Sequence, residues 1–306
     1  MEKILVTPRS LSKNGHPALD DLRNAGYEVV YASPGRQPSE EELKEILPEC
    51  CGYLAGVEPV SGEVLRSCHG LKVISRNGVG IDNVDLAAAE DAGIRVEKAA
   101  GTNSRGVAEL AITLMLSAVR SIPLSSSRLK AGGWDRRKGF EVEGRTLGLI
   151  GCGMIGKYTA KMALGLDMKV KAYDLYPDKS FNPSLDFSYA SVKEIFELSD
   201  IISLHCPPAD KPLLDASAIS MMKDGVLLVN TARAGLVDEA AVLEAIERGK
   251  LFGYATDVFS KEPPEPSELI AHENVVTTPH IGGFTTESVD RATQVAVDNL
   301  LKVLNG

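Results

Sequence analysis

Residues 146–156 read Thr146-Leu147-Gly148-Leu149-Ile150-Gly151-Cys152-Gly153-Met154-Ile155-Gly156: an apolar strand-like run, a glycine-rich turn, and the start of a helical pattern that continues to Leu166. The turn, Gly151-Cys152-Gly153-Met154-Ile155-Gly156, fits G-x-G-x-x-G, a pattern that is weak alone and informative between a strand and a helix. Gly151 permits the tight turn, Gly153 lets the backbone approach a pyrophosphate, and Gly156 lets helix and strand pack closely. The helix N-terminus adds free amides and the positive end of its dipole. The next strand, Lys169–Asp174, ends in an acid eighteen residues beyond Gly156. A carboxylate there accepts both ribose hydroxyls of an adenosine and repels a 2′-phosphate, and Leu175-Tyr176-Pro177 brings no arginine to bind one. The segment predicts a site for NAD rather than NADP.

Outward from this segment, short apolar runs alternate with helical patterns. On the N-terminal side the strands are read at Ile4–Thr7, Glu28–Tyr31, Gly52–Ala55, Leu71–Ser75 and Ile94–Glu97, with helices at Pro17–Ala25, Glu40–Leu47, Gly62–Ser67 and Val84–Asp91. A long apolar helix follows at Ser104–Val119, capped by Asn103 or Ser104, and Pro123 stops the pattern. On the C-terminal side come strand Asp200–His205, helix Asp215–Met222, strand Val226–Asn230, helix Asp238–Arg248, and strands Phe252–Val258 and Val275–Thr278. Thr285–Leu304 reads as one amphipathic helix, which periodicity assigns to neither half. Strands separated by helices imply parallel sheets with right-handed crossovers, hence an α/β chain of two such units.

The 306 residues suffice for two domains. With 33 Lys and Arg against 42 Asp and Glu the formal charge is −9, which argues against a nucleic-acid binder; Arg136, Arg137 and Lys138 form the one tight basic cluster. The five cysteines, Cys50, Cys51, Cys68, Cys152 and Cys206, have no paired C-x-x-C spacing. They suggest neither a zinc site nor a disulfide framework, and read as reduced thiols in a cytoplasmic protein. No run approaches membrane-spanning length and the N-terminus has no secretory pattern, so no membrane partner is expected.

Three segments place titratable residues after strands, where open α/β sheets hold ligands: Asn230-Thr231-Ala232-Arg233, Asp257–Glu262 and Pro279–Gly283. Hydride transfer at a 2-oxo acid needs a cation for the carboxylate, which a guanidinium holds bidentately. It also needs an acid for the carbonyl oxygen, and a carboxylate that stabilises the protonated form of that acid. Arg233, His280 and Glu262 are the right types. Each also has a plain reading, as surface arginine, loop histidine and solvated turn residue, and spacing alone does not bring them together.

The motifs SRNGVGIDNVD (Ser75–Asp85), GCGMIG (Gly151–Gly156), NTARAGLVDE (Asn230–Glu239), DVFSKEPP (Asp257–Pro264) and TPHIGG (Thr278–Gly283) occur in order, and the chain resembles the D-isomer-specific 2-hydroxyacid dehydrogenases over nearly its whole length, phosphoglycerate dehydrogenases in particular. The resemblance implies two doubly wound parallel-sheet domains: a flavodoxin-like substrate domain of residues 1–98 and 283–306, with a Rossmann NAD domain of residues 99–282 inserted. It implies Arg233, Glu262 and His280 as the catalytic set. It further implies that His205, Cys206, Pro207, Thr231, Ala232, Asp257 and Gly282 join the glycine loop around NAD, Asp257 at the nicotinamide end. Asn77, Gly78, Val79 and Gly80 would present backbone amides to the substrate carboxylate. Ser104–Phe140 would supply much of the interface of a homodimer or tetramer, anchored by Trp134, which could alternatively cap its own core. The loop Pro207–Pro212 departs from the family pattern: it is about two residues short and lacks the usual threonine. The sequence ends at Gly306, and an appended regulatory domain is not expected.

The substrate is expected to be a small 2-hydroxy or 2-oxo acid. Arg76 and the segment Trp134-Asp135-Arg136 resemble phosphate-binding features of phosphoglycerate dehydrogenases and favour 3-phosphoglycerate, which feeds serine biosynthesis. Arg76 in a local salt bridge is the plain alternative. Glyoxylate, hydroxypyruvate or another small 2-oxo acid is the second substrate reading. Formate and phosphite dehydrogenases are disfavoured, the former by Glu262. An NAD-sensing, corepressor-like binding protein is the reading from a different functional class.

Overall fold

A computed structural model describes residues 1–306. The chain forms two compact units, Met1–Asn103 with Gly283–Gly306, and Ser104–Gly282. No single helix is long and apolar enough to cross a membrane.

In the first unit, β1 (Lys3–Val6), β2 (Glu28–Tyr31), β3 (Cys50–Ala55), β4 (Val73–Arg76) and β5 (Arg95–Lys98) form one parallel sheet in the order β2-β1-β3-β4-β5. Every residue of β3 is buried, as expected of a strand covered on both faces. The C-terminal helix, Thr286–Leu304, belongs to this unit and buries Ala296, Val297 and Leu300 against it. Gly52 makes room for it: a Cβ there would stand 3.2 Å from Leu304 and 3.3 Å from Ile4. Residues 99–103, expected with the second unit, are held in the first. Ala99 N donates to Gly78 O, Thr102 Oγ1 to Ala99 O and Arg291 Nε to Thr102 O.

In the second unit, β6 (Thr146–Ile150), β7 (Lys169–Tyr173), β8 (Phe187–Tyr189), β9 (Ile201–Leu204), β10 (Val226–Asn230), β11 (Leu251–Thr256) and β12 (Val275–Thr277) form a parallel sheet in the order β12-β11-β10-β9-β6-β7-β8. The sixteen-residue helix Ser104–Val119 packs on the helix Met154–Leu164 and on β10, β11 and β12, burying Ala111, Leu114, Met115 and Val119. Four of the unit's helices start on side-chain caps, those of Ser191, Asp215, Asp238 and Ser267, with Ser191 and Glu194 forming a capping box and Asp238 accepting from the amides of Ala240 and Ala241. Each such cap stabilises by about 1 kcal/mol.

Pro123 does not end the helical pattern. A second helix, Ile122–Lys130, begins there after Ser121 takes a left-handed φ of 48°. Proline is tolerated in a first turn, where its missing N–H has no helical partner to lose. The reading in which Trp134 caps its own core does not hold, since the residue is 81% exposed.

Candidate active site and cofactor site

The order of the second sheet reverses between β6 and β9, so its ligand crevice lies outside the ends of those strands. Three glycines there have three different reasons to be glycine. Gly151 sits at φ 98°, and a Cβ on it would stand 2.5 Å from the His205 carbonyl. Gly156 faces the Gly151 carbonyl so closely that a Cβ would overlap it. Gly153, the N-cap of the helix Met154–Leu164, has nothing within 4 Å of its would-be Cβ. The start of an eleven-residue helix therefore opens onto free space, with amides and dipole available for a pyrophosphate.

Asp174 follows β7 and is pinned beside this loop. Its Oδ2 accepts from Cys152 N at 2.7 Å and its Oδ1 from Tyr176 N at 2.9 Å. Each oxygen keeps a lone pair for a ribose hydroxyl. At the end of β9, His205 Nε2 meets Ser203 Oγ at 3.0 Å, while its Nδ1 is buried with no partner in the protein. Burial pushes the His205 imidazole down to about 4, so it is neutral at pH 7. Burial raises the Cys206 thiol beside it. After β10, Thr231 Oγ1 is likewise buried without a partner. Buried polar atoms are normally satisfied, and two orphans on one sheet edge suit a ligand with polar groups. The open helix N-terminus, the fixed carboxylate and these orphans fit NAD.

The other charged residues follow three neighbouring strands: Arg233 after β10, Asp257 and Glu262 after β11, and His280 after β12. Arg233 donates through Nη1 to Ala232 O at 2.8 Å, and Asn230 Nδ2 holds the Arg233 carbonyl at 2.9 Å. His280 Nδ1 lies 2.8 Å and 2.9 Å from the two Glu262 carboxylate oxygens. Glu262 is fixed in turn by the Phe259 amide at 3.2 Å. A carboxylate only accepts, so Nδ1 carries the proton, and Nε2 is left to accept or donate one.

His280 takes a left-handed φ of 51°, a strained conformation for a residue with a Cβ. Asp257 accounts for it. Its buried carboxylate accepts from Thr278 Oγ1 at 2.6 Å, Ile281 N at 2.8 Å and Gly282 N at 2.8 Å, clamping the loop on both sides of His280. The resemblance gave Asp257 to the nicotinamide end; here three of its acceptor positions serve the His280 loop. Thr278 is the residue missed by the sequence reading, although it lies inside the TPHIGG motif.

In the first unit, Arg76 ends β4 with Nη1 on Asn77 O at 2.7 Å, and its guanidinium lies against Gly78, where a Cβ would stand 2.6 Å from Nη1. The four amides of Asn77–Gly80 are not equivalent. Asn77 N already donates to Ala55 O at 2.9 Å and Gly78 N to Arg76 O at 2.8 Å. Those of Val79 and Gly80 remain for a ligand, which narrows the expected carboxylate site to two donors.

Residues 112–282, more than half the chain, match the family of D-isomer specific 2-hydroxyacid dehydrogenases in its NAD binding domain. D-3-phosphoglycerate dehydrogenase of Methanocaldococcus jannaschii is 40% identical over all of this chain and 58% of its own length. Hydroxypyruvate reductase of Thermotoga maritima is 39% identical over 87% of this chain and 88% of its own. The crystal structure of the TT0316 protein from Thermus thermophilus superposes with a TM-score of 0.89 at 36% identity, covering 99% of this chain and 97% of that one. The chain belongs to the D-isomer specific 2-hydroxyacid dehydrogenase family, and its second unit is the NAD-binding domain. It spans little more than half the length of the curated phosphoglycerate dehydrogenases it matches.

Proposed function

We propose that the protein is an NAD-dependent dehydrogenase of a small D-2-hydroxy acid. The observation that carries this reading is the His280–Glu262 pair, with Nε2 free and Arg233 on the same sheet edge. Bound NAD would supply the acceptor for the hydride that leaves C2. The Arg233 guanidinium binds the carboxylate and the C2 oxygen, which orients the acid. His280 Nε2 takes the hydroxyl proton as the C2–O bond becomes a carbonyl, and returns it in reduction. Glu262 holds the ring in one tautomer and stabilises the imidazolium. Asp174 selects NAD over NADP. In the first unit the Val79 and Gly80 amides are donors of the kind a carboxylate accepts from.

Two acids are supported. 3-Phosphoglycerate is favoured by the name of the M. jannaschii relative and by Arg76 as a phosphate partner. Hydroxypyruvate, with its hydroxyl tail, is favoured by the name of the T. maritima relative and by a buried carboxylate, Glu58, in the loop beside Arg76. A second copy of the chain is the proposed cover for Ile122, Leu129 and Trp134, which are all exposed. Light scattering that gave a monomer would contradict that cover.

The test is steady-state turnover of phosphoglycerate, glycerate, lactate, malate and 2-hydroxyglutarate with NAD and with NADP. Turnover of at least one acid, better with NAD, is expected. No turnover across the panel would favour an NAD-sensing binding protein instead.

A further inference from the structure

The rule that places a ligand outside Gly151 applies equally to the first sheet. Its order, β2-β1-β3-β4-β5, reverses between β1 and β3, so its crevice lies outside Thr7 and Gly56–Glu58. The side chain of Glu58 sits there, and the residue is only 2% exposed. Its Oε1 accepts from the Tyr53 hydroxyl at 2.6 Å, from Gly56 N at 2.8 Å and from the Thr7 hydroxyl. All three donors are uncharged, so none of these partners cancels the charge of a carboxylate. Burial first, and the Glu58 charge second, hold the Tyr53 phenol well above its usual range, so it stays a donor.

The Glu58 loop is fastened to the segment after β4. Asn83 Nδ2 donates to Glu58 O at 2.6 Å and to Gly56 O at 3.3 Å. Val60 N donates to Asn83 O at 2.7 Å, and Asn77 N to Ala55 O at 2.9 Å. A fixed negative charge is thereby built into the wall that presents the Val79 and Gly80 amides. Water and salt screen a buried charge poorly.

We propose that Glu58 is a specificity-determining residue: its buried carboxylate opposes a phosphate on the tail of the substrate and favours acids with an uncharged, hydroxyl tail. This rests on the proposed dehydrogenase function. Arg76 supplies the opposing attraction, and discrimination between the two acids reads the balance. A repulsive element of this kind sets specificity without adding affinity for either acid.

The experiment is calorimetric titration of 3-phospho-D-glycerate and of D-glycerate into NADH-saturated protein, where no turnover occurs. Glu58→Gln should raise the affinity for the phosphorylated acid relative to the other by about tenfold, or about 1.4 kcal/mol. Tyr53→Phe removes one neutral donor, leaves the carboxyl group of Glu58 in place, and should move the ratio much less than Glu58→Gln does. The pair keeps the proposal testable if either variant folds poorly. A ratio unchanged or lowered by Glu58→Gln, or raised as far by Tyr53→Phe as by Glu58→Gln, overturns it. Absence of turnover in the acid panel would strike the dehydrogenase reading, whereas this binding ratio strikes only the role of Glu58.

Discussion

The two sheets reverse their strand order in the same way, yet their crevices are built for opposite contents. Outside β6 and β9 the second unit leaves the start of a helix open, with Gly153 facing free space and two buried polar atoms, His205 Nδ1 and Thr231 Oγ1, without partners. Outside β1 and β3 the first unit fills the crevice with its own carboxylate, Glu58, satisfied by Tyr53, Gly56 and Thr7. One edge is prepared for an anion from solution, while the other already holds an anion. Topology therefore says where a ligand can sit, and the side chains decide which charge is welcome there.

Two glycines give the sharpest way to break this contrast. A Cβ at Gly56 would stand 2.6 Å from Glu58 Oε2 and 3.3 Å from Pro8 Cα. Gly56→Ala is expected to destabilise by about 1–3 kcal/mol, the cost of overpacking a closed site. Gly153→Ala meets nothing within 4 Å. It should leave stability within about 0.5 kcal/mol of the parent while weakening NAD binding, because the added methyl stands where a pyrophosphate would approach. Denaturant melts and NAD titrations read both, and equal stability losses would end the distinction between an open and a closed edge.

A smaller effect concerns which dinucleotide the open edge takes. Asp174→Ala should weaken NAD by about tenfold, the scale of a lost hydrogen bond to a charged group, and narrow the preference over NADP. A preference that persists in full would locate the selection elsewhere.

A separate effect is on pH dependence. The folded chain holds His205 down at about 4, while an unfolded histidine titrates near ~6.5. Between those values the unfolded chain binds a proton that the folded chain does not. The stability from the neutral ring is therefore complete above about pH 6.5 and declines as pH falls toward 4, by at most about 1.4 kcal/mol per pH unit. His205→Gln should flatten that slope; a slope unchanged by the substitution would assign it to other groups.

Much of the fold could be read from the sequence because parallel strands buried on both faces are continuous apolar runs. Val226–Asn230 and Cys50–Ala55 are buried throughout, and their flanking helices carry ordinary caps. The three-residue edge strand Phe187–Tyr189 and the helix Val192–Leu198 escape that logic, since they lie in a polar stretch and are too short to show a period. The Ser191 and Glu194 capping box was the one signal available there. In the site, residue types pointed to Arg233, Glu262 and His280, but their placement after neighbouring strands depends on strand order, which periodicity does not carry. The knot of Thr7, Tyr53 and Glu58 has no sequence signature either. It is assembled from the ends of two strands and a loop, and only the burial of Glu58 reveals it.

In the proposed reaction the open edge of the second unit works on an acid through His280. Turnover and NAD affinity of His280→Ala, measured side by side with the parent protein, test it most directly. A fall in kcat of about 100- to 10,000-fold is expected, the usual contribution of a positioned acid–base group, with NAD affinity nearly unchanged. Substantial retained turnover would contradict it.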